Sequence, residues 1–511
     1  MTAAESLPPS NLASLVLAHP PAWAERTALR QLESSLTYAG LRQCVLACAA
    51  HLSAAGVRPG SRVVLLIENS FDYVIALFAI LALGATAIPL NPDNSAAAVS
   101  AVLADCAGLG CILRERTRAK VDPASTLPCL LVLENAFEDN RRRWYSSAAA
   151  SPEETQPDAL ALLLYTSGTT GRPKGVMLTH ANLLANTASI VEYMQMTAAD
   201  STVTVLPFFH SFGNSILLTH LATGACVYIE NRFTYPAKVV EVLQQVRPTG
   251  FSGVPATFYI LLHRTNFLQH DWGFLRYINQ AGGGMRVETI QRLRQVMPST
   301  SIVIMYGQTE ASARLSYLAP ELLETRLGSI GQAIPGVELR VVGAGGQETA
   351  PGEVGELTAR GANIMAGYWN DPAGTAEVLR NGWLHTGDMA RRDEDGFLYI
   401  VSRKSDFIKS SSYRISPGEI EDVIAEMGGI EDVAAIGVPD TLFGETIAVC
   451  VVCPAERFSA EAIRAHCQSR LPLYKIPRYI LHVPEIPRTA SGKKKYYLLR
   501  EQYQGLEASS S

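Results

Sequence analysis

The sequence has little charge and no marked excess of one sign. Asp, Glu, Lys and Arg make up 18% of the 511 residues, and the formal net charge is −5. This composition gives no reason to expect a nucleic-acid partner, because such proteins usually carry a clustered excess of Lys and Arg. Hydrophobic residues make up 48% of the chain, which suits a globular protein with large cores and more than one domain.

Long uninterrupted apolar runs are also missing. One mostly apolar stretch, residues 74–90, is interrupted by Gly84 and Pro89, and a spanning helix usually needs about 20 residues. We therefore expect a buried helix followed by a buried strand, and no membrane span. Residues 1–9 are polar and small and do not resemble a signal peptide, so the cytoplasm is the expected location.

The chain has nine cysteines, an odd number that does not suggest a disulfide framework. Cys450 and Cys453 have the spacing of half a zinc or redox site, but they lie in an apolar, strand-like run without a second pair. We expect them to be core residues with free thiols, as is usual in the cytoplasm.

The common nucleotide-binding loop, G-x-x-x-x-G-K-[ST], is absent. A different loop follows residues 159–164, which read as a buried strand: residues 165–174 have the sequence YTSGTTGRPK. Gly, Ser and Thr are ordinary turn residues, so a plain surface turn is the alternative. Hydroxyls, backbone N–H groups and one lysine at a strand end could instead surround a polyphosphate, which indicates a nucleoside triphosphate.

Four further motifs support the second interpretation. Residues 306–310 (YGQTE) follow a strand-like run at 301–305, and residues 382–388 read GWLHTGD. Residues 402–404 (SRK) follow the run at 397–401, and residues 487–493 read PRTASGK. Together with the 165–174 loop, these motifs resemble, in order, the acyl-adenylating (AMP-forming) superfamily of acyl-CoA synthetases, peptide-synthetase adenylation domains and beetle luciferases. The resemblance extends from about residue 25 to residue 500.

Strand-like and helix-like segments alternate along the chain. Residues 63–67 and 225–229 read as strands, with helices after Asn69 and over residues 237–246. This alternation predicts an α/β fold with largely parallel sheets, and Asp395-Gly396 predicts a hairpin turn. The resemblance implies a large N-terminal domain of stacked, mostly parallel sheets and helices, residues 1–403. It also implies a small mobile α+β C-terminal domain, residues 404–511, with a hinge at 403–405.

The resemblance also implies roles for individual residues. Those expected to bind the nucleotide are Thr166, Ser167, Gly168, Thr169, Thr170, Gly171, Lys174, Gly283, Tyr306, Gly307, Thr309, Asp388 and Arg403. Thr309 and Glu310 are expected to be catalytic: Thr309 would donate to the α-phosphate, and Glu310 would hold Mg²⁺, since this ion prefers carboxylate and phosphate oxygens. Lys493 would be the mobile catalytic lysine that stabilises charge during adenylation, whereas Lys494 and Lys495 match no such role and are expected to face solvent.

Each of these roles has a plainer alternative. Thr309 and Glu310 could simply begin a helix, where Glu is favoured. Asp388 could be a turn former, and the basic segment 471–500 could be a solvated face. Three further residues depart from the family pattern, namely Ser402, Ser405 and Ser412, and Ser412 puts the thioester-forming step in more doubt than adenylation.

Residues 207–213 (PFFHSFG) resemble the region that gates and lines the carboxylate pocket in the family. His210 is the expected catalytic gate, although a core histidine is the alternative. The expected substrate residues are His210, Phe212, Gly213, Gly307 and Gln308. Amino-acid-activating relatives carry an Asp where Gly213 stands, and an unpaired buried ammonium is costly. We therefore expect an acid without an α-amine, such as a fatty, aryl or other simple carboxylic acid.

The expected activity is an AMP-forming acid–thiol ligase that uses ATP, Mg²⁺ and CoA. A carrier protein bearing phosphopantetheine is the alternative acceptor. A luciferase-type oxidase is a third candidate, and a non-catalytic adenylate-binding scaffold belongs to a different functional class. The intact set of Lys174, Thr309, Glu310, Asp388 and Lys493 argues against the scaffold.

Overall fold

The computed structural model describes residues 11–122, 127, 129–134, 137, 140, 150–166, 173–403, 408–410, 413–440, 444–488 and 494–504. The chain divides into two compact units. The first comprises residues 1–338 and 359–384, and the second comprises residues 339–358 and 385–511.

The described strands follow in chain order. They are β1 (Thr27–Gln31), β2 (Ser34–Thr37), β3 (Arg62–Leu66), β4 (Thr86–Pro89), β5 (Gly110–Arg114), β6 (Cys129–Leu133), β7 (Leu160–Thr166), β8 (Lys174–Thr179), β9 (Ser201–Thr204), β10 (Cys226–Ile229), β11 (Gly250–Gly253), β12 (Tyr277–Gln280), β13 (Ser301–Tyr306), β14 (Ser316–Leu318), β15 (Gln332–Ala333), β16 (Val337–Val342), β17 (Val354–Gly361), β18 (Gly367–Tyr368), β19 (Leu379–Arg380), β20 (Trp383–Arg392), β21 (Leu398–Arg403), β22 (Ile408–Ser410), β23 (Tyr413–Ile415), β24 (Asp432–Asp440), β25 (Gly444–Val452) and β26 (Tyr479–His482).

The described α-helices are α1 (Ser14–Leu17), α2 (Tyr38–Ala54), α3 (Phe71–Ala82), α4 (Ala96–Asp105), α5 (His180–Met194), α6 (Ser211–Thr223), α7 (Pro236–Val246), α8 (Pro255–Arg264), α9 (Val287–Val296), α10 (Pro372–Val378), α11 (Pro417–Ala425), α12 (Ala460–Gln468) and α13 (Tyr496–Gln502). Short 3₁₀ turns lie at Pro21–Trp23, Glu115–Lys120, Phe267–Gln269, Thr309–Ala311, Pro320–Leu322, Ala455–Arg457 and Leu473–Lys475. Several helices begin at a side-chain cap: Thr37 accepts from Gly40 N–H and Ser70 from Tyr73 N–H, as N-cap residues do.

Two sheets form the first unit. The nine-stranded sheet has the order β15-β14-β13-β12-β11-β9-β10-β1-β2, and the seven-stranded sheet has the order β18-β8-β7-β4-β3-β5-β6. The pairs from β13 to β1 and from β7 to β6 are parallel, and antiparallel pairs lie only toward the ends of each sheet. The α/β fold with mostly parallel sheets is therefore confirmed.

Individual elements also match the sequence patterns. Residues 159–164 predict a buried strand, and β7 spans Leu160–Thr166 with Ala161 to Leu164 buried. Residues 74–90 form the end of α3, in which every residue is buried, and then β4, which is also buried. Within the part of the chain that the structure describes, no helix is long and apolar enough to cross a membrane.

The second unit contains two antiparallel-rich sheets. In the first of them β17 lies between β16 and β20, and β21 pairs with β20. The predicted turn at Asp395-Gly396 joins β20 and β21, and Asp393 N–H donates to Phe397 O at 2.9 Å. The other sheet has the order β23-β22-β25-β24, with β26 parallel to β25. With α11, α12 and α13, the predicted α+β character of this part is confirmed.

The two faces of the β24–β25 pair enter different cores because side chains alternate along a strand. Val433, Val449 and Cys453 lie in a cluster with Ile420 of α11 and Ile463 of α12. Another cluster contains Ala434 and Cys450 together with Leu499 of α13. Cys450 and Cys453 are therefore core residues in separate clusters, as expected from the sequence, and they form no shared half-site.

All nine cysteines carry free thiols, and eight are buried. Burial raises the pKa of the Cys111 thiol to about 12 and that of Cys106 to about 11, which keeps these groups protonated and unreactive.

The predicted domain boundary after Arg403 and the division into compact units do not coincide. The compact units divide at Leu384, because the β20–β21 hairpin belongs to the same unit as residues 339–358. Residues 404–407 and 505–511 lie outside the described residues. The hinge at 403–405 stays a prediction.

Candidate active site

The ends of the predicted phosphate loop are held by a β-ladder. β7 and β8 are antiparallel, and Thr166 lies opposite Lys174 in the register of this pair. The Thr166 hydroxyl also donates to the Lys174 carbonyl at 3.5 Å. Five predicted phosphate-binding residues lie outside the described residues: Ser167, Gly168, Thr169, Thr170 and Gly171.

The Lys174 side chain lies beside β18 and the residues that follow it. Its Nζ is 3.6 Å from Asp371 Oδ2 and 4.7 Å from the centre of the Tyr368 ring. These contacts occur because β18 pairs with β8, with Tyr368 opposite Val176. A half-exposed ammonium held by one carboxylate and one ring can exchange these partners for phosphate oxygens.

The YGQTE segment forms a tight corner at the end of β13. A side chain at Gly307 would place its Cβ 1.9 Å from the Ala313 carbonyl oxygen, so only glycine fits. Thr309–Ala311 forms a single 3₁₀ turn, and the next residue, Ser312, has a left-handed φ of 62°. Thr309 and Glu310 therefore do not begin an α-helix, which was the plainer alternative for this pair.

Glu310 is held from two directions. Its Oε1 accepts a hydrogen bond from the Tyr368 hydroxyl at 2.9 Å, and its carbonyl accepts from Met365 N–H at 2.9 Å. Among the described residues no cluster of three metal-ligating side chains is found. One carboxylate fits a Mg²⁺ site, since this ion takes few protein ligands and completes its shell with phosphates and water. Tyr368 thus contacts both Lys174 and Glu310.

Thr309 lies next to the first turn of α6. The hydroxyls of Ser211 and Thr309 are 3.4 Å apart, and His210 is the N-cap residue of α6. The His210 ring lies against that of Phe209, with centroids 4.5 Å apart. The structure therefore brings two predicted site segments, 207–213 and 306–310, into contact.

Gly213 lies in the first turn of α6 and packs closely against the segment that precedes the helix. A Cβ there would lie 2.1 Å from the Pro207 carbonyl oxygen and 2.9 Å from that of Leu206. An aspartate at this position, as in amino-acid-activating relatives, could not be accommodated without a backbone shift. The absence of a carboxylate at Gly213 is thus built into the packing of α6.

Phe212 packs against an apolar cluster that includes Met305 of β13 and Ile190 of α5. The guanidinium of Arg314 lies over its ring at 4.2 Å. Arg314 is only 2% exposed, and burial lowers its pKa although Tyr193 partly offsets this. Gln308, the remaining predicted substrate residue, precedes the 3₁₀ turn, and its buried Nε2 has no hydrogen-bond partner among the described residues.

Gly283, which is expected to bind the nucleotide, lies in a glycine turn after β12. Gly282 has a left-handed φ of 88°, and the carbonyl of Gly283 accepts from Gln280 Nε2 at 2.6 Å. An added Cβ at Gly283 would meet only Pro255, at 3.6 Å, and one at Gly284 would meet nothing within 4 Å. The turn leaves room for a flat group close to the backbone.

In the second unit, Asp388 and Arg403 are partners across the β20–β21 hairpin. Asp388 is 5% exposed, and its Oδ1 is 3.1 Å from Arg403 Nε. The carboxylate and the guanidinium expected to bind the nucleotide therefore belong to one ion pair. Asp388 lies within a strand, so the turn-former alternative does not apply. The Ser402 hydroxyl is buried and has no partner among the described residues.

Lys493, Ser405 and Ser412 lie outside the described residues. The expectation that Lys494 faces solvent is wrong. Its Nζ is 2.5 Å from Glu421 Oε2 and 2.5 Å from the Val433 carbonyl. The long apolar part of the Lys494 side chain packs along the protein, so that its ammonium reaches the buried carboxylate of Glu421.

Three residues at the site were missed by sequence reasoning: Arg314, Tyr368 and Asp371. Each belongs to a segment that looks ordinary in the sequence. Tyr368 reads as a strand residue and Asp371 as a helix cap, which it also is, since its Oδ1 accepts from Gly374 N–H. Only three-dimensional contact reveals their second role.

Comparisons with known proteins identify the family of the chain. The family model for AMP-binding enzymes matches residues 18–369, and the model for the C-terminal domain of these enzymes matches residues 419–493. An indoleacetate–CoA ligase of Aromatoleum aromaticum is 34% identical over 481 residues, covering 92% of this chain and 93% of that protein. A long-chain-fatty-acid–CoA ligase of Salmonella typhimurium is 33% identical over 530 residues, covering 94% and 93%.

A solved structure is also similar to this chain over nearly its whole length. The o-succinylbenzoate CoA synthetase of Bacillus subtilis, in complex with its acyl-adenylate intermediate, superimposes with a TM-score of 0.86 at 28% identity. The match covers 96% of this chain and 98% of that protein.

The chain belongs to the AMP-binding enzyme family. Within it, the chain is an AMP-forming carboxylate–thiol ligase of the acyl-CoA synthetase type.

Proposed function

We propose that this enzyme uses ATP to convert a carboxylic acid without an α-amino group into an acyl-adenylate, and then transfers the acyl group to CoA. The observation that carries the proposal is the contact of Tyr368 with both Lys174 and Glu310. It brings the ammonium that we propose binds phosphate and the carboxylate that we propose holds Mg²⁺ to one place, beside the Thr309–Ser211 contact.

In the first step a carboxylate oxygen of the acid attacks the α-phosphorus of ATP, the bond to the β-phosphate oxygen breaks, and pyrophosphate leaves. Charge gathers around the α-phosphate, and prearranged donors lower the barrier. Thr309 donates to the α-phosphate, and Lys174 with residues 166–171 binds the β- and γ-phosphates. Tyr306, Gly307 and Gly283 contact the nucleotide, Asp388 accepts hydrogen bonds from its ribose hydroxyls, and Arg403 binds the ribose or a phosphate. Glu310 would hold Mg²⁺, which supplies positive charge at the phosphates.

In the second step a thiol sulfur attacks the acyl carbon, the bond to AMP breaks, and the thiol proton is released. Lys493 is the catalytic lysine of the first step alone. His210 gates the acid site, which Phe212, Gly213, Gly307 and Gln308 border. We place the reaction in the cytoplasm, where the free buried thiols of this chain stay reduced.

The acid class follows from the packing of Gly213 against Pro207. Relatives that act on indoleacetate and on long-chain fatty acids support an acid without an α-amine but leave its size open. The test is ATP–pyrophosphate exchange with matched pairs, such as 3-phenylpropanoate against phenylalanine and octanoate against 2-aminooctanoate. The unsubstituted acid should be preferred in both pairs, whereas preference for the amino acid would contradict the proposal.

The role of Lys493 has a separate test. Lys493→Ala should abolish acyl-adenylate formation while the variant still converts supplied acyl-adenylate and CoA to thioester. Lys495→Ala, two positions along, is the control and should retain both half-reactions. Equal loss of both half-reactions in Lys493→Ala would exclude the assigned role.

The acceptor is tested by supplying CoA and phosphopantetheinylated carrier proteins in separate reactions. Thioester formation with CoA supports the proposal, and formation with carrier protein alone would identify a carrier-loading ligase instead. No pyrophosphate exchange with any acid would favour the scaffold alternative.

A further inference from the structure

The turn between β3 and α3 contains a buried asparagine that binds a distant backbone segment. Asn69 is 5% exposed. Its Nδ2 donates to the Leu206 carbonyl at 2.8 Å, and its Oδ1 accepts from Phe208 N–H at 2.7 Å. The same side chain therefore satisfies a carbonyl and an N–H group two residues apart, on either side of Pro207.

This pairing requires a side-chain amide. Pro207 has no N–H of its own, and the flanking carbonyl and N–H would be buried without partners if Asn69 were absent. An amide offers a donor and an acceptor in one plane, whereas the carboxylate of aspartate offers acceptors only. Aspartate at this position would place a negative oxygen against the Leu206 carbonyl.

The turn itself is anchored to the nine-stranded sheet. The backbone carbonyl of Asn69 accepts from Asn231 Nδ2 at 2.7 Å and from Gln31 Nε2 at 3.5 Å. Gln31 is the last residue of β1 and Asn231 follows β10, and β10 lies between β1 and β9 in the sheet. β3, however, belongs to the seven-stranded sheet that also contains β7 and β8.

Asn69 therefore connects the sheet that presents Lys174 to the segment that leads into α6. That segment has little freedom of its own. His210 N–H donates to the Pro207 carbonyl at 3.2 Å, and Gly213 packs against the same carbonyl. A displacement of Pro207 would therefore also displace His210 and the first turn of α6.

We propose that Asn69 is a positioning residue for the acid site: its amide fixes residues 206–208 and, through them, the placement of His210. Asn69 touches no reacting group and acts only through this segment. The inference rests on the proposed role of His210 at the carboxylate.

The first experiment compares Asn69→Ala and Asn69→Asp with the wild-type enzyme in pyrophosphate exchange. The KM for the acid should rise about tenfold or more, because small misplacements of a positioning group cost this much. The KM for ATP should change less than about twofold, since Lys174 and its partners are untouched. Asn69→Asp is nearly isosteric, so it keeps the test valid if the alanine variant does not fold.

The matched control is Ser70→Ala, at the next position. The Ser70 hydroxyl caps α3 by accepting from Tyr73 N–H at 3.2 Å and donates to the Glu68 carbonyl at 3.1 Å, so its loss lowers the melting temperature but removes none of the Asn69 hydrogen bonds to residues 206–208. Ser70→Ala should keep the wild-type KM for the acid. An equal rise of this KM in Ser70→Ala would show that Asn69 acts only through general stability, which would overturn the proposal.

The second experiment is a double-mutant cycle with His210→Ala. If Asn69 acts through His210, adding Asn69→Ala to His210→Ala should lower kcat/KM for the acid by less than about twofold. Fully additive losses would overturn the inference. Exchange activity of the wild-type enzyme is measured alongside, and its complete absence with every acid would refute the proposed function rather than the role of Asn69.

Discussion

Tyr368 links two predicted phosphate-site residues through different atoms. Its ring lies under the Lys174 ammonium, and its hydroxyl donates to Glu310. Removing the hydroxyl alone frees one carboxylate oxygen without disturbing the ring, which separates the two contacts.

Tyr368→Phe should therefore weaken the orientation of Glu310 but keep the position of Lys174. Because groups that orient a metal ligand tune metal affinity by about 10- to 100-fold, we expect a higher Mg²⁺ concentration for half-maximal pyrophosphate exchange. A Mg²⁺ titration at saturating ATP and acid measures this.

The control is Tyr399→Phe, which removes another tyrosine–carboxylate contact, 3.3 Å from Tyr399 Oη to Asp393 Oδ2. It should leave the Mg²⁺ requirement unchanged. An unchanged requirement in Tyr368→Phe as well would mean that its hydroxyl does not orient a metal ligand.

At this scale the motifs predicted Lys174, Thr309 and Glu310, because phosphate chemistry needs an ammonium, a hydroxyl and a carboxylate after strand ends. They could not reveal Tyr368 or Arg314. A tyrosine in a short strand has an ordinary structural explanation, and an arginine buried over Phe212 contradicts the usual expectation that charge lies outside. The prediction that Lys494 faces solvent was wrong for the same reason, since it also assumed that a charged side chain lies outside.

Among the elements, α6 begins with a close backbone contact at Gly213. The Pro207 carbonyl occupies the space that any side chain at Gly213 would need. This requirement comes from the entry of the helix and not from contact with a substrate.

Gly213→Ala should accordingly destabilise the protein by about 1–3 kcal/mol, the usual cost of overpacking. Urea unfolding measures the change. Gly213→Asp should be destabilised further and should not gain activity with amino acids.

Gly284→Ala is the matched control, since a Cβ there meets nothing within 4 Å. It should unfold at nearly the same urea concentration as the wild type. If Gly213→Ala were equally stable, the loop before α6 would have to be able to shift freely.

Strands and helices were the part of the fold that apolar runs predicted best. β7, β13 and α3 follow directly from buried runs, and the β20–β21 hairpin follows from Asp395-Gly396. The sequence did not show that residues 339–358 join the second unit, because this pairing connects strands far apart in the chain. Local patterns carry no information on such contacts.

For the whole molecule, two buried histidines couple stability to pH. His180 accepts a hydrogen bond from Leu12 N–H at 3.0 Å, and His220 lies between the Ile216 carbonyl and the Tyr277 hydroxyl. Burial lowers the pKa of each from 6.5 to about 4. The folded state therefore binds fewer protons than the unfolded state between these values.

The contribution of these histidines to the free energy of unfolding should be fully present above about pH 6.5. It should fall as the pH drops from 6.5 to about 4. Each histidine contributes at most about 1.4 kcal/mol per pH unit over this range. Urea midpoints measured at several pH values test this, and His220→Gln should show a smaller slope.

His51→Gln changes an exposed histidine and is measured alongside as the comparison variant. A slope unchanged in His220→Gln would assign the acid sensitivity to the carboxylates instead.

The ladder between β7 and β8 has one more consequence. Because Thr166 and Lys174 are paired, the end of β7 and the start of β8 are held at fixed positions, whatever residues lie between them. The segment between them can therefore be replaced by one of equal length from another family member without changing the direction of the Lys174 side chain. Deleting one residue inside β8 would instead turn alternate side chains to the opposite face. Lys174 would then point away from the site, although the sequence of residues 165–174 would be unchanged.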